Sequence, residues 1–263
     1  MTLTVTDLTI RFGDRTVVDR VSFTVADGAR FGIIGESGSG KSLTTLAILG
    51  LLPEAAEATG SIDLDGVQLL GLRERELARL RGRRVGVVFQ DPQTALNPLR
   101  TIGRQLAEPL LLHRLIARRQ ARAEAIRLAD LVRLPEPDRI VHLYPHQLSG
   151  GQRQRVAIGI ALAASPGLLL ADEPTTALDV TIQSEVLDLF DRLVAVTGAS
   201  LVFVTHDLAV LARISTEVLV LSQGRAIESG PVARILAEPR EAVTAGLVAA
   251  ARATSFTTRE GAA

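Results

Sequence analysis

The chain has 263 residues, is 47% hydrophobic, and carries 29 basic against 29 acidic side chains, a formal net charge of +0. That length suits one large domain or two small ones. The charge balance implies no general attraction to nucleic acid, and an aromatic share of 3% with no Trp argues against base-stacking platforms. No Cys is present, which excludes disulfides, thiolate metal sites and a cysteine nucleophile.

Residues 1–4 lack the basic region that opens a signal peptide. The longest apolar run, 156–171, is broken by Ser165-Pro166-Gly167 and is too short to span a bilayer. A soluble chain, or one held at a membrane by protein partners in a reducing compartment, is expected. Residues 3–10 alternate in polarity and predict a strand kinked near Asp7; 21–26 predict a second. Asp27-Gly28 is a turn signal leading into a buried strand through Phe31, Ile33 and Ile34.

Gly35-Glu36-Ser37-Gly38-Ser39-Gly40-Lys41-Ser42 follows that strand and matches the phosphate-loop pattern G-x-x-x-x-G-K-[ST] at every fixed position. A helix is expected over 43–51, so the strand–loop–helix context is complete. The glycines let backbone N–H groups turn toward phosphate oxygens, and the helix N-terminus adds partial positive charge there. Lys41 would reach the β- and γ-phosphates and the Ser42 hydroxyl would ligate Mg²⁺. Lys41 is the only lysine in the chain; every other basic residue is Arg. A compact ammonium suits a tight phosphate cradle better than a planar guanidinium. A plain Gly/Ser turn would leave that lone lysine unexplained.

Residues 60–66 form a short alternating strand closed by a second Asp-Gly turn, which together with the first two strands suggests a small antiparallel layer. Residues 72–84 read as a charged, solvated helix. A buried strand, 85–89, ends at Gln90-Asp91-Pro92. The pattern over 101–133 is helical, and Pro135, Pro137 and Pro145 break it. Residues 152–164 and 181–196 predict helices, and 168–171, 200–204 and 217–221 predict buried strands. Residues 222–225 read as a hairpin turn, 231–251 as two short helices, and 254–263 as a frayed tail. Alternating strands and helices of these lengths imply an α/β fold with a mainly parallel sheet.

Further stretches carry chemistry. The strand 168–171 runs into Asp172 and Glu173: Asp172 would hold Mg²⁺ through water, and Glu173 would polarise an attacking water as general base. Ser149, Gly150, Gly151 and Gln152 open a helix and form a second anion-binding nest. Two such nests so far apart make sense if the second serves a nucleotide held by another subunit. His206 ends a strand, within reach of a γ-phosphate. Gln90 ends another and would sense Mg²⁺ and the nucleophilic water. Phe12 would stack on adenine or simply pack.

Taken together these motifs resemble the ATP-binding-cassette (ABC) ATPases over residues 2–250, with 251–263 as a C-terminal tail. The resemblance implies a P-loop cassette: a RecA-like core, an antiparallel β subdomain and a helical subdomain at 91–147 that meets membrane-embedded subunits. It makes Gln90 the Q-loop residue, 148–152 the signature, Ala177-Leu178-Asp179 the D-loop with Asp179 near nucleotide, and His206 the switch histidine. Catalytic roles fall to Glu173, His206 and Gln90, and Mg²⁺ binding to Ser42, Gln90 and Asp172. It further implies ATP sandwiched in a head-to-tail dimer.

The wording of 89–98, 144–156 and 171–181 is similar to the dipeptide, oligopeptide and nickel importer group. That group pairs two ATPase subunits, alike or homologous, with permeases on the cytoplasmic face of the inner membrane. An extracytoplasmic binding protein serves the complex indirectly, and nucleic acid is not a partner. Longer members carry a cysteine-bearing C-terminal extension, so this chain resembles the shorter, nickel-type ones. Pro239-Arg240-Glu241-Ala242-Val243-Thr244 departs from the group's usual Pro-x-His-Pro-Tyr-Thr. The alternative reading is a soluble ABC-type switch acting on ribosomes or DNA, whose members usually carry a second cassette or long coiled coils.

Overall fold

The computed structural model describes residues 1–91, 95–176 and 178–260, with side chains to residue 253. Pro92, Gln93, Thr94 and Ala177, parts of the importer-like wording and the D-loop, lie outside the described residues. The chain divides into two compact units, Met1–Leu72 with Ser200–Ala263, and Arg73–Ala199.

In the first unit, β1 (Leu3–Phe12) pairs antiparallel with β2 (Arg15–Val25) and with β4 (Ala56–Leu64), and β5 (Val67–Gln68) pairs with β4. The kink expected near Asp7 is a register shift between Val5 and Leu8, with Asp7 itself at φ 49°. Gly60 faces it: a Cβ there would come within 2.5 Å of the Asp7 carbonyl oxygen. The alternation of Leu3, Val5, Leu8 and Ile10 buries one face, each 0–1% exposed.

The other strands of this unit are β3 (Arg30–Gly35), β8 (Ser200–Thr205), β9 (Glu217–Ser222) and β10 (Arg225–Pro231). β3 pairs in parallel with both β8 and β9, Ile34 opposite Thr205 and Gly35 opposite Leu221. Helix α1 (Lys41–Leu49) follows the phosphate loop, two residues earlier than the apolar pattern suggests, and ends at Gly50 in a left-handed cap with Leu51 N–H bonded to Leu46 O. Helix α8 (Leu208–Ile214) lies on β3, where a Cβ on Gly32 would meet Leu211 Cδ1 at 2.6 Å. Ile34, Leu208, Leu211, Val218 and Val220 pack with Val232 and Ile235 of α9 (Val232–Ala237) and Val248 of α10 (Ala242–Glu260). One long helix therefore replaces the second short one and runs into the stretch expected to fray: its alanine-rich sequence holds no proline to stop it.

The second unit holds α2 (Glu74–Leu80), the parallel pair β6 (Val85–Val88) and β7 (Leu168–Asp172), and helices α3 (Ile102–Leu112), α4 (Ala121–Leu131), α5 (Pro137–Ile140), α6 (Gly150–Leu162) and α7 (Val180–Thr197). The single helical pattern at 101–133 is two helices, parted where Arg114 takes φ 55°. Glycines let backbones approach: a Cβ on Gly86 in β6 would sit 2.3 Å from Ala161 O of α6.

Candidate nucleotide site

In the first unit the phosphate loop closes on itself. Gly38 (φ 79°) and Gly40 (φ 98°) take left-handed backbone that L side chains resist, and Ser39 N–H bonds to Glu36 O at 3.2 Å. Gly40 precedes α1 with no side-chain cap and no acidic residue in the first turn, so the amides there remain available to an anion. The Lys41 ammonium is 5% exposed and donates to Gly35 O at 2.8 Å and Glu36 O at 3.0 Å, curled over the loop. Ser39 Oγ is buried with no hydrogen-bond partner among the described residues. A buried unmet hydroxyl, a folded-over ammonium and uncapped amides in one loop fit a polyphosphate.

Because Ile34 lies opposite Thr205, His206 follows β8 at the same strand end as that loop. Asp207 caps α8, accepting from Ala209 N at 2.8 Å and Val210 N at 3.2 Å, which presents exposed His206 just before the helix. Phe12, half-buried, ends β1 opposite Arg15 at the tip of the β1–β2 hairpin.

In the second unit Val88 lies opposite Ala171, so Gln90 and the Asp172-Glu173 pair emerge at one end of the β6–β7 pair. Gln90 Nε2 donates to Glu173 Oε2 at 3.3 Å, and the Thr176 hydroxyl donates to the same oxygen at 3.0 Å. Thr176 is a contact that no sequence signal points to. Glu173 holds φ 48°, a left-handed backbone costly for a side chain of its size and found most often at working sites. Asp172 is 8% exposed at the end of β7.

Ser149 and Gln152 form a reciprocal capping box on α6: Gln152 N donates to Ser149 Oγ at 3.3 Å and Ser149 N to Gln152 Oε1 at 3.0 Å. Their side chains are thus engaged locally, while Gly150 stays exposed at the helix start. Asp179 caps α7, accepting from Ile182 N at 2.9 Å. Among the described residues no cluster of three His, Asp or Glu could hold a metal by itself. The Ser42, Gln90 and Asp172 set is instead of the kind that takes Mg²⁺ together with substrate phosphates.

Comparison with known proteins places this geometry. A family model described as ABC transporter matches residues 18–176. The oligopeptide transport ATP-binding protein OppD of Mycobacterium tuberculosis is 45% identical over 251 residues, 94% of this chain and 41% of the relative. OppD of Salmonella typhimurium is 43% identical over 250 residues, 94% of this chain and 75% of the relative. The glutathione import ATP-binding protein GsiA of Pectobacterium atrosepticum is 45% identical over 246 residues, 90% of this chain and 40% of the relative. The chain thus spans about two fifths of the mycobacterial and GsiA relatives. None of these names mentions nickel. The solved dimeric cassette MJ0796 bound to ADP and Pi superposes with a TM-score of 0.77 at 30% identity, covering 88% of this chain and 98% of that one. The fold is the P-loop ABC cassette, and the chain belongs to the ABC transporter ATP-binding family.

Proposed function

We propose that this chain is the ATP-hydrolysing subunit of an importer that takes up peptides across the cytoplasmic membrane. The observation that carries the nucleotide part is the buried Lys41 ammonium folded over a loop of uncapped amides. The solute class is supported by the names of the relatives, OppD and GsiA among them.

In this reading residues 35–42 hold the triphosphate, Lys41 neutralises its β- and γ-oxygens, and Phe12 stacks on the base. Ser42, Gln90 and Asp172 hold Mg²⁺, which when bound would offset charge building on the γ-phosphate. Glu173, steadied by Gln90 and Thr176, accepts a proton from the attacking water, and His206 orients the γ-phosphate. The second nest, Ser149, Gly150, Gly151 and Gln152, contacts the nucleotide of a partner ATPase subunit, with Asp179 beside it; a dimeric relative supports that pairing. Each ATP then closes the dimer, and hydrolysis opens it.

The subunit would lie peripherally at the cytoplasmic face, since no described helix is long and apolar enough to cross a membrane. The permeases would dock on the helical stretch 91–147. There a groove of about 1050 Å³ offers Arg104, Arg114, Arg118 and Arg122 above an apolar floor that includes Ala107 and Val141. The binding protein would act through the permeases.

The deciding experiment is Glu173→Gln. Removing the base while sparing phosphate binding should trap an ATP-bound dimer on size exclusion and abolish turnover. A variant that stays monomeric with Mg-ATP, both alone and mixed with its partner ATPase, would refute the reading.

A further inference from the structure

The second unit treats two buried glutamines oppositely. Gln105, 4% exposed, accepts from Asn97 N at 2.8 Å and donates to Asn97 O at 3.0 Å and Arg100 O at 2.9 Å. Gln154, 0% exposed, has no hydrogen-bond partner among the described residues for either Nε2 or Oε1. Burying both ends of an amide unmet is costly and rare. A methionine of similar volume would fill the same space without that cost.

The position of Gln154 suggests what the cost serves. It lies one turn into α6 from Gly150 and shares a helix face with Gly151. A Cβ on Gly151 would meet Ile182 Cγ2 of α7 at 2.8 Å, so that face of α6 lies against the first turn of α7. Ile182 is also the residue whose amide Asp179 caps. The seam therefore has the signature turn at one side and the Asp179 cap at the other, with an unsatisfied amide one turn inside it.

We propose that Gln154 is a positioning residue: its amide finds partners only when α6 shifts along this seam into the orientation that engages nucleotide. The unmet amide then biases the resting form toward that shift, and ATP-driven closure relieves it. The inference rests on the dimer reading above and names the device that sets the signature helix.

The test places Gln154→Met, and separately Gln154→Leu, in the wild-type and Glu173→Gln backgrounds. Expected are an unchanged or higher melting temperature without nucleotide and an unchanged KM for ATP. kcat should fall roughly tenfold, the effect of about one hydrogen bond. ATP-dependent dimerisation of the double variant should need a correspondingly higher protein concentration. Full kcat with unimpaired dimerisation overturns the proposal. So does a lowered melting temperature in both replacements, which makes the amide a structural one. If Glu173→Gln alone fails to dimerise with ATP, the dimer reading has failed and this inference goes with it.

Discussion

Lys41 concentrates the chemistry of the first unit in one side chain. Its ammonium satisfies two loop carbonyls while nearly out of solvent, a geometry that a guanidinium fork would not enter. Lys41→Ala and Lys41→Arg should both lower ATP hydrolysis at least about hundredfold, measured as phosphate release, because one preorganised charge contact to a reacting phosphate is worth that much. Since no other lysine exists, an amine-directed reagent should modify only Lys41 and the chain's N-terminus, and Mg-ATP should protect the first. Labelling of Lys41 that is indifferent to nucleotide would place it outside the site. At the other carboxylate, Glu173 keeps a left-handed backbone while its side chain takes bonds from Gln90 and Thr176. The pattern Asp-Glu-Pro announces the carboxylate but not the strain or the threonine, because both depend on how the chain turns after β7.

At the scale of elements, close backbone contacts decide which glycines matter. A Cβ on Gly35 would meet Leu221 O of β9 at 2.1 Å and Ser39 Oγ at 2.6 Å, whereas one on Gly32 would meet the end of the Leu211 side chain. Gly35→Ala is therefore expected to cost about 2–4 kcal/mol, and Gly32→Ala less, about 1–2 kcal/mol, by chemical denaturation. A backbone carbonyl cannot step aside, and a leucine methyl can. Ser149→Ala should cost about 1 kcal/mol through loss of the capping box on α6. The same scale explains the boundaries that sequence periodicity misplaced. Ser149 and Gly40 start α6 and α1 two residues ahead of their apolar patterns, because a cap and a phosphate loop set those starts.

Across the first unit, a buried carboxylate ties β10 to the C-terminal region. Glu228, 8% exposed, accepts from Arg234 at 3.0 Å and from the amides of Arg240 and Glu241 at 3.2 Å each. Burial pushes this carboxyl up, but the bonds it accepts outweigh burial and hold it below its usual value of 4.5. Because the folded value is depressed, its stabilisation is present above that usual value and is lost as pH falls through the folded one. Glu228→Gln should therefore melt lower at neutral pH and show a shallower loss of melting temperature on acidification below about pH 4.5. Equal pH slopes for both proteins would count against the clasp. In the second unit Arg155 plays a comparable part, reaching Glu185 at 2.7 Å and the carbonyl of Arg133 at 3.2 Å, and so tying α6 to α7 and to the end of α4.

The amino-acid order by itself determined the class of fold, the phosphate loop and its lysine, the two carboxylates, the signature turn and the family, because each is a local pattern that short-range geometry reads directly. Only the tertiary structure decided that Glu173 is strained and held by Thr176, that one long helix closes the chain, that Glu228 is clasped by amides twelve and thirteen residues on, and that Gln154 is buried unmet. Those outcomes depend on which side chains meet after packing, and no periodicity of 2.0 or 3.6 residues encodes a meeting between elements distant in sequence.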